Sequence, residues 1–307
     1  MLDRNVLKPS AGHDFRRLYS RVLLASATRA VGVVLAVVVS LLAVVFSTPT
    51  TGLEAYASKA VSLADDPNAC PPPPQAVVDD FSGPAGAPPS PQLWNYELGG
   101  GHGDGLEADT DSPRNASLDG NGNLAIVAIH EPFHFPGYPV VDYTGAALDT
   151  HGHLDFCYGT IAARIKLPAG RGLRPAFFLV GSDVETVGWP QCGEIDVLDV
   201  AGGGIAGFHG PGGYTLFAPV PFDFGADWHE YALDWRRDKI TVSMDGRDFA
   251  SWTPQSLPPG ATWTFNDHPM YVVLDMAVGG LNDFVPDSST RFPATMLVHW
   301  VRYSPAT

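Results

Sequence analysis

From about Asp79 to the C-terminus, short runs of strand-forming residues alternate with turn formers, and this interruption limits the region to a fold of many short strands. Asn123-Leu124-Ala125-Ile126-Val127-Ala128-Ile129 follows the turn signal Asp119-Gly120-Asn121-Gly122. Residues 159–167 alternate with period two and then meet Pro168. Residues 231–235 and 239–244 lead into Asp245-Gly246, a hairpin signature. Residues 271–278 are almost continuously apolar, as an inner strand requires. Outside the N-terminal segment no window of comparable length has a clear 3.6-residue period. The 33 glycines and 28 prolines in 307 residues fit the same reading. The expected fold class is all-β, a two-sheet β-sandwich over residues 79–307, and 45% hydrophobic residues are ample for its core.

Upstream the chain changes character. Arg4, Lys8, Arg16, Arg17, Arg21 and Arg29 face only Asp3 and Asp14 before residue 31, so this leader is basic while the whole chain carries a net charge of −15. A body that acidic repels phosphate backbones, which excludes nucleic acid as a partner and leaves neutral or cationic ligands open. Residues 30–47 contain no charge and as a helix would span roughly 27 Å, close to the apolar thickness of a bilayer. We expect a transmembrane helix there, with residues 1–29 as a cytoplasmic leader by the positive-inside rule and the remainder extracytoplasmic. The alternative is secretion after signal cleavage, for which Ala55-Tyr56-Ala57 has the small-x-small form. Residues 48–78 read as a linker, stiffened by Cys70-Pro71-Pro72-Pro73-Pro74. Three cysteines permit at most one internal disulfide. Cys70 has no evident partner and Cys157 and Cys192 are open to pairing, with buried free thiols the expectation. No cysteine or histidine cluster has metal-ligand spacing, so no metal centre is expected. A monomer is expected.

Three carboxylates stand in six residues of Gly193-Glu194-Ile195-Asp196-Val197-Leu198-Asp199. On a strand, Glu194 and Asp196 share one face while Ile195 and Val197 enter the opposite layer. Asp199 joins that face only if a β-bulge near Val197-Leu198 adds one residue. Two carboxyls about 5–5.5 Å apart, one nucleophile and one acid/base, are what retaining glycoside hydrolysis needs. A third between them can hydrogen-bond the nucleophile and separate the two pKa values. A solvated acidic edge or a cation site remains the alternative.

The segment Trp189-Pro190-Gln191-Cys192-Gly193-Glu194-Ile195-Asp196-Val197-Leu198-Asp199 resembles the signature of laminarinase-like enzymes of glycoside hydrolase family 16. The likeness continues in order from about residue 79 to 304, through Trp94-Asn95-Tyr96-Glu97, Tyr158-Gly159-Thr160, His209-Gly210-Pro211-Gly212, Trp228-His229-Glu230-Tyr231 and Ala277-Val278-Gly279-Gly280. It implies a jelly-roll, concanavalin A-like sandwich with a glycan cleft on its concave face. By position it implies Glu194 as nucleophile, Asp196 as assisting acid and Asp199 as acid/base. It further implies Trp189 as a sugar-stacking platform, with core burial the alternative, and His209 at the cleft. His229 is expected to be a satisfied histidine of the sandwich.

Departures from that pattern gather at the expected site. Asp199 replaces a glutamate, and Arg174 and Phe178 stand where the pattern has two tryptophans. Asp275 replaces an asparagine, Leu281 and Asn282 stand where a tryptophan is usual, and residues 104–110 lack two tyrosines. Arg174 and Phe178 are nonetheless expected to line the cleft, Arg174 as a selector of anionic or modified glycans. No cofactor is expected. The resemblance carries at most a structural calcium on the convex side, where His299 stands in place of an aspartate. Asn115-Ala116-Ser117 is a glycosylation sequon. The resulting expectation is an extracytoplasmic glycosidase cleaving a β-glucan or related polysaccharide, or a glycan-binding protein on the same scaffold.

Overall fold

A computed structural model describes Cys70 and residues 74–101, 105–134, 139–200, 204–220, 227–266, 268–280 and 284–306. They belong to the second of two compact units, Pro67–Thr307. Strand formers and turn formers alternate here as the sequence predicts, and eighteen strands result, arranged in two sheets.

The seven-stranded sheet has the order β13-β12-β11-β10-β17-β8-β2 and is antiparallel throughout. Its strands are β2 (Asn95–Glu97), β8 (Ala147–Asp149), β10 (Leu173–Gly181), β11 (Glu194–Asp199), β12 (Ile205–Gly210), β13 (Tyr214–Pro219) and β17 (Met270–Val278). The eleven-stranded sheet contains β1 (Val77–Asp79), β3 (Gly99–Gly100), β4 (Glu107–Asp109), β5 (Ala116–Leu118), β6 (Leu124–Phe133), β7 (Val141–Gly145), β9 (Gly159–Lys166), β14 (Trp228–Arg236), β15 (Lys239–Met244), β16 (Arg247–Trp252) and β18 (Ala294–Ser304). Its main path is β16-β15-β14-β9-β18-β6-β7-β4-β3, with β1 added to β18 and β5 to β6. One helical turn, α1 (Val184–Val187), precedes the carboxylate strand.

Alternation does the sorting. Phe177, Leu179, Ile195, Phe208, Val272 and Leu274 point inward from the first sheet, against Ile161, Ile165, Leu233, Trp235, Met296 and Val298 from the second. Burying one such large side chain stabilises by about 1.5–3 kcal/mol. Trp235 keeps its indole N–H satisfied by donating to the Phe265 carbonyl at 2.8 Å. The Asp245-Gly246 turn joins β15 to β16 with φ of 51° and 70°, the left-handed pair that a tight hairpin demands. His229 Nδ1 lies 2.7 Å from Asp245 Oδ2, so this histidine serves that hairpin.

Four expectations change. Val77, Val78 and Asp79 pair with Tyr303, Arg302 and Val301, so the last residues assigned to the linker are an edge strand of the sandwich. Cys70 and Cys157 form a disulfide, and Cys192 is the buried free thiol. Spacing gave no sign of this, because chain folding brings together ends 87 residues apart. Asn115 of the sequon is 2% exposed, and its side-chain amide donates to the Val127 carbonyl and to Thr144 Oγ1. His299 Nδ1 sits 3.0 Å from the Gly122 carbonyl and 3.1 Å from Asn123 Oδ1. A nitrogen replaces the oxygen that a calcium ion takes, so these residues do not fit that ion. The expected leader 1–29, span 30–47 and most of the linker 48–78 lie outside the described residues. Among the described residues no helix is long and apolar enough to cross a membrane.

Candidate functional site

The carboxylate strand β11 lies between β10 and β12. Glu194 is opposite Val180 and Asp196 opposite Phe178, but Leu198 is opposite Phe177 and Asp199 opposite Ala176. Val197 is therefore the extra residue of a β-bulge, and the register against β12 shifts over the same interval. Val197 and Leu198 both enter the core, fully buried. Glu194, Asp196 and Asp199 consequently share the outer face of the seven-stranded sheet.

That face has a packed floor beneath its polar groups. Ala176, Phe178 and Val180 of β10 cluster with Tyr271 and Val273 of β17 and with Val184 and Cys192 from the loop crossing the sheet. Phe178 is only 6% exposed, so its ring forms floor beneath the site and offers no open platform to a sugar. Burial in this apolar cluster pushes the Cys192 thiol up to about 12, which makes it inert.

Asp196 is 4% exposed, and this burial, added to the charges of Glu194 and Asp199, raises its carboxyl well above the usual range. A hydrogen bond between its carboxyl and that of Glu194 pushes in the same direction. Glu194 also accepts the indole N–H of Trp189 at 2.8 Å on Oε2. Trp189 itself is 54% exposed, its ring centroid 5.4 Å from that of His209. His209 lies opposite Glu194 on β12, with Nε2 at 3.8 Å from Glu194 Oε1 and 3.6 Å from Asp196 Oδ2. Its Nδ1 is 2.9 Å from Thr215 Oγ1 on β13. Among the described residues, Glu194, Asp196 and His209 are the one group whose ligand atoms approach within 4.8 Å of one another. Glu194 Oε2 of that set is already taken by the Trp189 indole N–H.

Arg174 reaches Asp199 from β10. Its Nη2 is 3.3 Å from Asp199 Oδ2, and the two side chains are 9% and 16% exposed. Nε and Nη1 are buried as well and make no hydrogen bond among the described residues.

Phe217 escaped the sequence reading, which named Asp275 and the stretch holding Glu107 only as departures from the family pattern. Phe217 of β13 is 61% exposed, in register with Gly207, which is opposite Asp196. A Cβ at Gly207 would stand 2.4 Å from the Leu216 carbonyl and 2.9 Å from Phe217 Cβ, so glycine lets that edge close up. The signal was available in the period-two stretch 214–219, which sends Thr215, Phe217 and Pro219 to one side. Asp275 lies across from Ala176 on β17, at 2% exposure. Glu107 is 1% exposed, accepts the Val278 N–H at 2.6 Å, and is pushed up to about 8 by burial and then by Asp275. Leu281 and Asn282 lie outside the described residues.

A β-sandwich that sets three carboxyls side by side on an open sheet face, flanked by exposed aromatic rings, belongs to the class of glycan-processing sandwiches. The model of glycosyl hydrolases family 16 matches residues 109–302, and the chain belongs to that family. It is 35% identical to a solved endo-β-1,3-glucanase from Pyrococcus furiosus, over 75% of this chain and 94% of that one, with a TM-score of 0.68. It is 31% identical to glucan endo-1,3-β-glucosidase A1 of Niallia circulans over 68% of this chain. That match spans 35% of the relative, about a third of its length. A β-1,3-glucan-binding protein of Penaeus monodon is also 31% identical, over 53% of this chain and 52% of the relative.

Proposed function

We propose that this chain is a glycoside hydrolase that cleaves a β-glucan or related polysaccharide by a retaining, two-carboxylate mechanism. The observation that carries the reading is the bulge in β11, which turns Glu194, Asp196 and Asp199 to one face. In this mechanism the Glu194 carboxylate attacks the anomeric carbon while Asp199 gives its proton to the departing glycosidic oxygen. Asp199, now a carboxylate, takes a proton from the water that releases the glycosyl group from Glu194. A sugar hydroxyl in place of water makes the same step a transglycosylation. Asp196 hydrogen-bonds the nucleophile and holds it in place between turnovers. The exposed Trp189 ring offers its face to a pyranose, and His209 borders the same sugar.

The chain is proposed to work outside the cytoplasm, held by a helix over residues 30–47, and as a monomer. The Cys70–Cys157 disulfide supports the location, since such bonds persist in oxidising compartments. Reducing-end release from laminarin, lichenan, agarose and mannan tests the activity, and product anomer analysis tests retention. Glu194→Gln is expected to abolish turnover; unchanged turnover removes Glu194 from the role of nucleophile. A second reading, glycan binding without cleavage, is supported by the guanidinium holding Asp199 and by the similarity to a glucan-binding relative. It predicts laminarin binding by calorimetry with no reducing ends released.

A further inference from the structure

We propose that Arg174 is a positioning residue for Asp199, so that the two act as one matched unit in place of a longer, self-supporting acid. The proposal rests on the retaining reading above. Both residues are among the departures from the family pattern, which has a tryptophan and a glutamate at these positions, and these two departures touch each other. Arg174 lies two residues before Ala176, the partner of Asp199 on the neighbouring strand, so it meets Asp199 diagonally across the same face. Its Nη2 is 3.3 Å from Oδ2, with both side chains largely withdrawn from water.

Asp275 of β17 flanks Arg174 on its other side, opposite Ala176. Arg174 Nε and Nη1 are buried without a hydrogen-bond partner among the described residues. The carboxyls of Glu107 and Asp196 feel its charge, but Asp199 is its ion-pair partner. An aspartate ends one methylene short of a glutamate and has fewer ways to swing toward a glycosidic oxygen. A fixed cation on an inner strand gives the shorter carboxyl a single setting. Misplacement by about 1 Å can lower a rate on the order of 100-fold, so this contact belongs to the chemistry even though Arg174 touches no reacting atom.

The test uses the full chain and two substrates: laminarin, and a laminari-oligosaccharide with a dinitrophenolate leaving group, which departs without needing a proton. Arg174→Met is expected to lower kcat/KM on laminarin roughly 30- to 100-fold, and to lower kcat/KM on the aryl substrate, which reports only the step that needs no proton from Asp199, by less than about threefold. Arg174→Lys is expected to recover part of the loss on laminarin. In an Asp199→Asn background, Arg174→Met is expected to have no further effect on laminarin. Equal losses on both substrates, multiplying losses in the Asp199→Asn background, or unchanged kinetics would each overturn the proposal while leaving the catalytic reading intact. If Arg174→Met does not fold, Arg174→Gln and Arg174→Lys supply the same substrate ratio. A wild-type chain that cleaves neither substrate, or that loses nothing on Glu194→Gln, overturns the retaining reading and this proposal with it.

Discussion

Glu107 is a carboxylic acid where sequence alone suggests a carboxylate. Burial and the neighbouring Asp275 hold it at about 8, while the Val278 N–H and Arg174 pull the other way. In the unfolded chain it titrates near 4.5. Between these values the folded state holds a proton that the unfolded state has released. Its contribution to stability is therefore complete below about pH 4.5 and falls by about 1.4 kcal/mol per pH unit until pH 8. Glu107→Gln removes this dependence, so the stability difference between wild type and variant, from denaturant midpoints at pH 5 and pH 8, should be larger at pH 5 in favour of wild type. A difference that does not change with pH would place the proton elsewhere. Phe217 is exposed on β13, at the edge of the carboxylate-bearing sheet, and under the proposed function its ring is a sugar platform away from the reacting bond. Phe217→Ala is expected to raise KM for laminarin by roughly 5- to 12-fold, the loss of about 1–1.5 kcal/mol of aromatic contact, with kcat within about threefold. A fall in kcat with unchanged KM would exclude a platform role.

The element that decides the site is β11, and its essential property is one residue too many. An ordinary six-residue strand sends Glu194 and Asp199 to opposite sides, so a shared role for them requires a bulge between them. That much was legible in the residues alone. The cross-strand consequences were not. Alternation says that Arg174 points outward but not that it meets Asp199, because the meeting depends on the register of β10 against a bulged neighbour. It places Phe178 outward too, yet the ring is buried in a cluster with Val184 of α1, Cys192, Tyr271 and Val273. Phe217 lies on an edge strand of mixed composition, where exposure follows from strand order. Gly207 ties these strands together, since any side chain there collides with β13 backbone. Gly207→Ala is expected to destabilise the domain by about 1–3 kcal/mol and to lower turnover by shifting β12 and with it His209. An unchanged melting temperature with full activity would show that the edge yields without cost.

At the scale of the molecule, the sandwich starts earlier than its composition suggests, because β1 pairs with β18 and Cys70 is bonded to Cys157. Proline content identified a stiff segment but carried no information about where it is fastened. Closing a loop of this length stabilises by about 2–4 kcal/mol, so a Cys70→Ser, Cys157→Ser chain is expected to melt roughly 5–15 °C lower. Melting unaffected by both substitutions and by reductant would mean the bridge does not form. The buried sequon bears on something different, the route by which this protein can be made. The Asn115 amide is spoken for by Val127 and Thr144 inside the sheet, and a sugar on that nitrogen would remove both contacts and hold β5 and β6 apart. Hosts that decorate sequons while the chain is still emerging would put a wedge into the sandwich before it closes, so a bacterial host, or an Asn115-Ala116-Ser117→Ala change in yeast, should give the higher yield of folded protein.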